Sequence, residues 1–373
     1  MSHLNPPRRL LFGPGPSQVA PRVYEAMTQP IVGHLDPFFF EVYEDICRDL
    51  RAVFGTQNPF VQVISGTGSA GMETALANFV EPGQKLAVFV GGYFAERIAE
   101  MGRRHGACVA RFDKPWGETV TEAEAAEFLA REKPHAVAFV HAETSTGALQ
   151  DPLAITRAAH EVGALTIADC VTSLGAMPIN VDAAGIDVAF SCTQKGLSCP
   201  PALSPITVSP AAVDRLRARP APCPIWYLDL KLLLDYYDGA HRYHHTAPIS
   251  AFYALREGLA LVREEGVDAR FDRHRKMHCE FVRRVEAAGF SMFIPDDARR
   301  ITHLNTVSVP EGVDDVKTRK RLLDEHGIDI AGGFGPLAGK IFRIGVMGPL
   351  ATPENVELLV DALASCVREN MRS

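Results

Sequence analysis

The chain places a lysine just after an apolar run, in the stretch Phe190-Ser191-Cys192-Thr193-Gln194-Lys195-Gly196. The preceding residues, Ile186–Ala189, are mainly apolar, and the following residues, Leu197–Pro201, favour turns. Lysine is one of the side chains least often found buried. At such a place it either extends its amine to solvent or acts as a desolvated amine that forms a Schiff base. The rest of the chain decides between these two interpretations.

The bulk composition is that of a globular protein with more than one domain. The 373 residues carry a net charge of −7 and are 47% hydrophobic, which argues against nucleic acid or an anionic membrane as the main partner. The sequence starts without the apolar core of a secretory signal and lacks a run of about 20 apolar residues, the length of a membrane helix. Because the 8 cysteines are scattered without a Cys-x-x-Cys pair, we expect a cytoplasmic protein without a zinc site or a disulfide framework.

Apolar runs alternate with helical periods between residues 61 and 190. The predicted strands are Val61–Ile64, Lys85–Val90, Cys108–Phe112, Ala136–Val140, Leu165–Ala168 and Asp187–Phe190. The predicted helices between them are Met72–Phe79, Tyr93–His105, Glu122–Arg131 and Pro152–Val162. Continuous apolar strands separated by helices indicate an α/β fold, with a mostly parallel central sheet covered by helices on both faces.

The pattern divides the chain into three segments. Residues 1–20 form an arm, because its Gly-Pro-Gly-Pro run at residues 13–16 can continue neither a helix nor a central strand. Residues 21–265 form the large domain around the sheet, and residues 266–373 form a smaller α+β C-terminal domain. The elements predicted in the small domain are helices Phe271–Ala288, Val316–His326 and Pro353–Val367, and strands Thr306–Val309 and Ile341–Ile344.

The first predicted strand leads into a glycine-rich turn, Ser65-Gly66-Thr67-Gly68-Ser69-Ala70-Gly71, and then into a helix. This arrangement presents free backbone N–H groups to a phosphate, and the hydroxyl groups of Thr67 and Ser69 can also cap the helix. The turn lacks the Gly-Lys-Ser/Thr of a Walker loop. It has the Gly-x-Gly-x-x-Gly spacing of a dinucleotide site, but no acidic residue ends the next strand. A tight helix entry without a ligand is the alternative interpretation.

Asp169 follows another apolar strand, and the carboxyl ends of parallel strands meet at one edge of a sheet. Desolvation protonates such a carboxylate unless a cation meets it, although an ordinary role for Asp is to cap the next turn. A lysine, an acid and a phosphate cradle are what pyridoxal phosphate requires of a protein. In this interpretation Phe94 stacks on the cofactor ring, Val171 packs under its other face and Thr144 bonds its hydroxyl group. Core packing is the alternative for the two apolar residues.

Six segments together carry a resemblance to a known family. They are Ser65–Gly68, His141–Gly147, Asp169–Gly175, Ser191–Gly196, Tyr243–Pro248 and Gly333–Gly345. In this order they resemble the class V, fold type I aminotransferases, closest to the alanine–glyoxylate, serine–glyoxylate and serine–pyruvate branch, over nearly the whole chain. The resemblance implies a pyridoxal-phosphate enzyme and a homodimer with shared active sites. It also implies transfer of an amino group from a small amino acid, alanine or serine, to glyoxylate or pyruvate.

The resemblance also implies roles for single residues. Lys195 resembles the Schiff-base lysine and Asp169 the partner of the pyridine nitrogen, and these are the two catalytic residues. Arg343 resembles the arginine that binds the substrate α-carboxylate, and Gly15 the glycine whose backbone lies against the substrate. The other matches are the phosphate cradle (Thr67, Gly68, Ser69, Gln194), the ring-hydroxyl contact (Thr144) and two residues that reach the phosphate from the neighbouring subunit (Tyr243, Thr246).

Two positions depart from the family pattern, and several other activities stay open. Phe94 stands where alanine–glyoxylate members have Trp, and Leu35 stands where many relatives have Arg. Another amino donor (aspartate, aminoethylphosphonate or another amine) or a pyridoxal-phosphate lyase is compatible with the same fold type. A cysteine desulfurase needs a Cys before the carboxylate-binding arginine, and residues 331–342 contain none. The presence of both Lys195 and Asp169 argues against a cofactor-binding or scaffold protein without catalytic activity. The histidines at 241, 244 and 245 lack a closing ligand pattern, so no metal site is predicted.

Overall fold

The computed structural model describes residues 4–237 and 241–370. Its strands are β1 (Leu10–Leu11), β2 (Phe60–Ser65), β3 (Lys85–Val90), β4 (Cys108–Asp113), β5 (Ala136–Val140), β6 (Ala142–Glu143), β7 (Ala148–Leu149), β8 (Leu165–Asp169), β9 (Val188–Phe190), β10 (Leu203–Val208), β11 (Leu304–Ser308), β12 (Ile328–Asp329), β13 (Ala331–Gly332) and β14 (Ile341–Gly345). Its helices are α1 (Pro21–Met27), α2 (Pro37–Phe54), α3 (Gly68–Phe79), α4 (Tyr93–Arg104), α5 (Glu122–Glu132), α6 (Leu153–Glu161), α7 (Pro210–Ala218), α8 (Leu230–Tyr237), α9 (Ile249–Glu265), α10 (Val267–Ala287), α11 (Asp315–His326) and α12 (Pro353–Asn370).

Seven strands form the main sheet, in the order β2-β10-β9-β8-β5-β3-β4. The prediction of a mostly parallel sheet is confirmed, because β10 alone among these strands runs antiparallel to its two neighbours. The strands are buried along nearly their whole length, except β4 at the edge. Burial on both faces explains why they are continuously apolar rather than alternating.

Strand β10 is not predicted by the sequence pattern. It lies between β2 and β9, and Ser191 N donates to the carbonyl of Pro205 in its middle at 2.8 Å. A proline inside an apolar run argues against a central strand, because proline has no N–H to donate. The carbonyl side of the residue still accepts a ladder bond, so the strand persists.

Local signals explain where the helices begin and end. The side chain of Asp36 accepts from Phe38 N and caps α2, which ends at Gly55 in the left-handed region (φ 67°). A reciprocal capping box of Thr121 and Glu124 starts α5. Helix α3 begins at Gly68, four residues before the predicted start at Met72, because the glycine-rich turn itself supplies its first turn.

Buried apolar side chains form two main clusters. One surrounds the large sheet and runs in sequence from Val19 to Val262. The other contains residues between Met277 and Val367, together with Phe12. Its three-stranded sheet has the order β11-β14-β13. The division of the chain near residue 265 stays a prediction.

The predicted arm is ordered and lies between these clusters. Strand β1 pairs in parallel with β12, and the Phe12 carbonyl accepts a 2.7 Å bond from Gly345 N at the end of β14. Five residues further on, Ser17 N donates to the Gln194 carbonyl at 2.9 Å. The arm therefore connects the C-terminal sheet to the turn that follows β9.

Candidate active site

The carboxyl ends of the parallel strands enclose a cavity of about 130 Å³. It is lined by nine of the residues that the sequence predicted to bind the cofactor: Thr67, Gly68, Ser69, Phe94, Thr144, Asp169, Val171, Gln194 and Lys195. A larger cavity, of about 360 Å³, lies beside Tyr43 and Phe60 near the amino end of β2 and contains none of them. The strand ends thus bring the predicted residues together in the smaller cavity.

Lys195 lies in the turn after β9 and points toward the arm. Its Nζ donates to the Pro14 carbonyl at 2.5 Å, and its own carbonyl accepts from Ser17 Oγ at 2.7 Å. A side chain at Gly15 would come within 2.4 Å of Nζ, so the close approach requires glycine, which also has φ of +120°. Burial lowers the pKa of Lys195, which favours a neutral amine.

Asp169 is the buried acid at the end of β8, with 3% of its surface exposed. Its Oδ1 accepts from Val171 N at 2.9 Å. Burial raises the pKa of Asp169 to about 7, despite that hydrogen bond and the more distant Lys195. A cation placed against this carboxyl group from the cavity would restore its ionised form.

The turn after β2 forms an anion-binding nest at the start of the 12-residue helix α3. Thr67 occupies the N-cap position, but its side chain makes no capping bond, contrary to the expectation that it caps the helix. Its hydroxyl is therefore available to the cavity. Gly68 packs so closely that a Cβ would lie 2.9 Å from a methyl carbon of Val171.

Gln194 adds an unsatisfied polar atom to the lining of the same cavity. Its buried Oε1 has no hydrogen-bond partner among the described residues. A buried polar atom without a partner costs about 1–3 kcal/mol, and a half-turn of the amide exchanges its oxygen with its nitrogen donors. A ligand anion in the nest would satisfy this side chain.

Glu143 was not predicted from the sequence, yet it fixes the position of Phe94. It is buried, and its carboxylate accepts from Phe94 N, Ala95 N and both the N and Oγ of Ser145, at 2.6–3.3 Å. These bonds hold the start of α4 against the strand end. The available signal was an acidic residue just after an apolar strand, next to the hydroxyl-rich residues 144–146.

Arg97 is a second residue that sequence reasoning missed. It lines the cavity, donates to Ser69 Oγ at 3.3 Å and lies over the Phe94 ring at 5.1 Å. Its spacing of three residues from Phe94 on a helix was the available signal.

Arg343 lies on β14 and is 4% exposed. Its Nε donates to the Gly332 carbonyl at 2.7 Å, and the Phe334 ring covers its guanidinium at 3.9 Å. Burial lowers the pKa of Arg343 to about 10. Its positive charge adds to the effect of burial in lowering the pKa of Lys195, so the predicted carboxylate-binding residue and the predicted catalytic amine interact electrostatically.

Tyr243 and Thr246 do not line the cavity of their own chain. Both are exposed, Tyr243 with 61% of its surface, and the Tyr243 ring packs beside His34 at 5.1 Å. Leu35, in the same region, is 47% exposed. The role of Tyr243 and Thr246 in the site of a neighbouring subunit stays a prediction.

Comparison with known proteins gives a consistent result over the whole chain. Residues 9–359 match the family model described as "Aminotransferase class-V". The chain belongs to the class V aminotransferase family. It is 38% identical to an alanine–glyoxylate aminotransferase of Callithrix jacchus, over 98% of this chain and 89% of the relative. It is 36% identical to an (S)-ureidoglycine–glyoxylate transaminase of Bacillus subtilis (strain 168), over 98% and 92%.

Solved structures of the family confirm the fold. The crystal structure of an alanine–glyoxylate aminotransferase from Nostoc sp. superposes with a TM-score of 0.97 at 44% identity, covering 99% of this chain and 97% of that one. The class V aminotransferase described here is therefore an enzyme of fold type I, and its cofactor is pyridoxal phosphate. No helix among residues 4–237 and 241–370 is long and apolar enough to cross a membrane.

The residues around the cavity fit this cofactor. An anion nest with the free Thr67 hydroxyl and the unsatisfied Gln194 amide suits a phosphate. The same cavity is lined by the buried carboxyl group of Asp169, which a cation would ionise, and by Lys195, an amine of lowered pKa. When bound, pyridoxal phosphate supplies an aldehyde that reacts with amines and a ring that accepts the electrons released at the substrate Cα.

Proposed function

We propose that this chain transfers the amino group of a small amino acid, alanine or serine, to glyoxylate or pyruvate. One observation carries the proposal: Lys195 lines the cofactor cavity as an amine of lowered pKa, and the positive charge of Arg343 contributes to that lowering. The names of the relatives support glyoxylate as the acceptor.

The phosphate end is held, in this proposal, by Thr67, Gly68, Ser69 and Gln194. Phe94 and Val171 would hold the ring, and Thr144 would bond its hydroxyl group. Asp169 would be the partner of the ring nitrogen, whose positive charge would keep the carboxylate ionised.

Lys195 moves the proton in this proposal. Because burial lowers its pKa, a larger fraction of the freed amine is neutral and can accept the Cα proton of the substrate. Arg343 holds the substrate carboxylate and orients the Cα–H bond toward that amine. The arm excludes water from above, since Pro14 and Gly15 lie directly against Lys195.

A donor–acceptor panel on the cofactor-loaded protein tests this function. Alanine, serine, aspartate and aminoethylphosphonate are each paired with glyoxylate and with pyruvate, and the new amino acid is measured. We expect the highest kcat/KM for alanine or serine with glyoxylate. Lys195→Ala abolishes turnover and the visible absorbance of bound cofactor, whereas Lys340→Ala, at an exposed lysine, leaves both intact. Turnover by Lys195→Ala equal to wild type contradicts the proposal.

We further propose a cytoplasmic homodimer in which Tyr243 and Thr246 complete the partner's site. Their exposure outside their own cavity supports this arrangement, and the 8 cysteines, which form no disulfide in the described part of the chain, suit a reducing compartment. Lys195→Ala and Tyr243→Ala subunits are each expected to be impaired. After subunit exchange, half of the dimers are hybrids, and each hybrid has one intact site of its two. The mixture should therefore recover about a quarter of wild-type activity. A monomer by light scattering, or mixing without recovery, contradicts the shared site.

A further inference from the structure

Phe334 is the residue that contacts Arg343 on its flat face. The centroid of its ring lies 3.9 Å from Arg343 Cζ. The same segment supplies the Gly332 carbonyl that accepts from Arg343 Nε at 2.7 Å. In the described part of the chain these contacts hold one edge and one face of the guanidinium, so the edge that carries the two Nη atoms is left for a ligand.

The backbone around Phe334 is built to place its ring there. Gly333 passes so close to the Leu337 carbonyl that a Cβ would lie 2.0 Å from its oxygen. Gly335 has φ of +47° and packs beside Trp116, and Leu337 N donates to the Phe334 carbonyl at 2.9 Å. These constraints form a tight turn, so the ring position is set by the backbone as well as by side-chain packing.

Phe334 also contacts the part of the large domain that faces the cofactor cavity. Its ring lies 4.8 Å from the Tyr93 ring and 6.5 Å from the Phe94 ring, centroid to centroid. Phe94 lines the cavity. The aromatic group therefore joins the carboxylate-binding end of the site to its ring-binding end.

We propose that Phe334 is a positioning residue for substrate recognition: it holds the Arg343 guanidinium so that both Nη atoms face the substrate α-carboxylate. This deepens the proposed function and rests on its assignment of Arg343. A guanidinium pairs both oxygens of a carboxylate only when the two planes coincide. A ring face beneath the guanidinium fixes its plane and attracts its charge, and both effects remain when a carboxylate binds at the Nη edge.

Phe334→Leu tests the proposal, because leucine keeps an apolar side chain of similar reach and removes the ring face. We expect kcat/KM for alanine to fall about tenfold, mainly through KM, which is the range of a partly desolvated cation–π contact. The cofactor absorbance stays unchanged. Phe334→Tyr keeps the ring and should retain wild-type kinetics. Phe271→Leu, at a half-buried phenylalanine on α10 outside the cavity, is the matched control.

Two further measurements separate positioning of Arg343 from a general packing effect. Isopropylamine is alanine with a methyl group in place of the carboxylate. Its single-turnover rate should be the same in wild type and Phe334→Leu. In an Arg343→Gln background, Phe334→Leu should have no further effect on alanine, because neighbours that act together are not additive.

A binding assay keeps the proposal testable if the proposed reaction fails. Glycolate is a short carboxylate without an amino group, and its Kd for the cofactor-loaded protein can be measured by calorimetry. Phe334→Leu should weaken glycolate about tenfold. Each of three results overturns the proposal. They are an unchanged Kd for glycolate in Phe334→Leu, an equal loss of rate with isopropylamine, and a Phe334→Tyr variant as impaired as Phe334→Leu. If wild type binds glycolate but converts no amino acid, the proposed function fails while the Phe334 comparison still decides its own question.

Discussion

Replacing Asp169 by asparagine should stabilise the cofactor-free protein above neutral pH and weaken its hold on the cofactor. The carboxyl group is 3% exposed, and burial raises its pKa from 3.8 to about 7. A raised carboxyl pKa means that folding is favoured when the group is protonated. Its stability contribution is therefore complete below pH 3.8 and is lost as the pH rises through about 7.

The magnitude follows from the width of that pH window. Between the pKa of 3.8 in the unfolded chain and about 7 in the folded protein, each pH unit changes the free energy of unfolding by about 1.4 kcal/mol. Relative to the protonated group, Asp169 therefore lowers the free energy of unfolding by about 4 kcal/mol at pH 8 and about 2 kcal/mol at pH 5. Asparagine does not ionise, and its oxygen can still accept from Val171 N. Its unpaired amide adds a penalty of about 1–3 kcal/mol that does not change with pH. The pH-dependent difference between variant and wild type is thus about 2–3 kcal/mol from pH 5 to pH 8.

Urea unfolding of the cofactor-free proteins at pH 5, 6.5 and 8 measures this difference. Asp361→Asn, at an exposed position on α12, is the matched control and should change stability by less than about 0.5 kcal/mol. With cofactor bound, wild type should be more stable than Asp169→Asn, because asparagine cannot neutralise a protonated ring nitrogen. A wild type that gains stability relative to Asp169→Asn between pH 5 and pH 8 would refute the reasoning.

Three further predictions concern residues around the cavity. His303 is fully buried with neither ring nitrogen in a hydrogen bond among the described residues, and burial lowers its pKa to about 3. Stability is therefore lost as the pH falls below 6.5, and His303→Leu should recover about 2 kcal/mol at pH 5 relative to pH 7.5, measured by urea unfolding with exposed His326→Gln as control. Glu143→Gln should cost about 2 kcal/mol of stability and weaken cofactor binding, since the amide cannot accept all four N–H and O–H groups. Cofactor titration checks this, and unchanged affinity contradicts it. Gly15→Ala should lower kcat at least 100-fold with the fold intact by circular dichroism, because the new methyl group would occupy the space of Lys195 Nζ; near-normal turnover would show that the arm moves aside.

The sequence predicted most of the site because its residues follow strands whose apolar character is unmistakable. Lys195, Asp169 and the 65–71 turn could be assigned to one edge from strand order alone, since carboxyl ends of parallel strands meet there. Contacts that depend on side-chain packing were beyond this reasoning. The Phe334–Arg343 stack joins a loop to a strand. Glycines allow the turn that places Phe334 there, but their presence in the sequence does not predict that turn. Glu143 similarly bonds to a helix start about 50 residues earlier in the chain.

Strand β10 shows the same limit for the fold. Its central proline suppresses the strand signal, and its antiparallel direction breaks the alternation that predicted the other strands. Only its pairing with β2 and β9 makes the run a strand. Tertiary contacts, not local preference, decide such an element.

The position of the arm sets the order in which the enzyme can mature. Arg9 donates to the carbonyl of Leu323, 314 residues later, and Phe12 contacts the end of β14. During synthesis Arg9 leaves the ribosome 314 residues before Leu323. The large sheet and the bonds of Ser17 to the turn after β9 can form while the chain is still growing, whereas the bonds of Arg9 and Phe12 must wait for the small domain. In a nascent chain the arm over Lys195 is therefore anchored at one end only until β14 has been made.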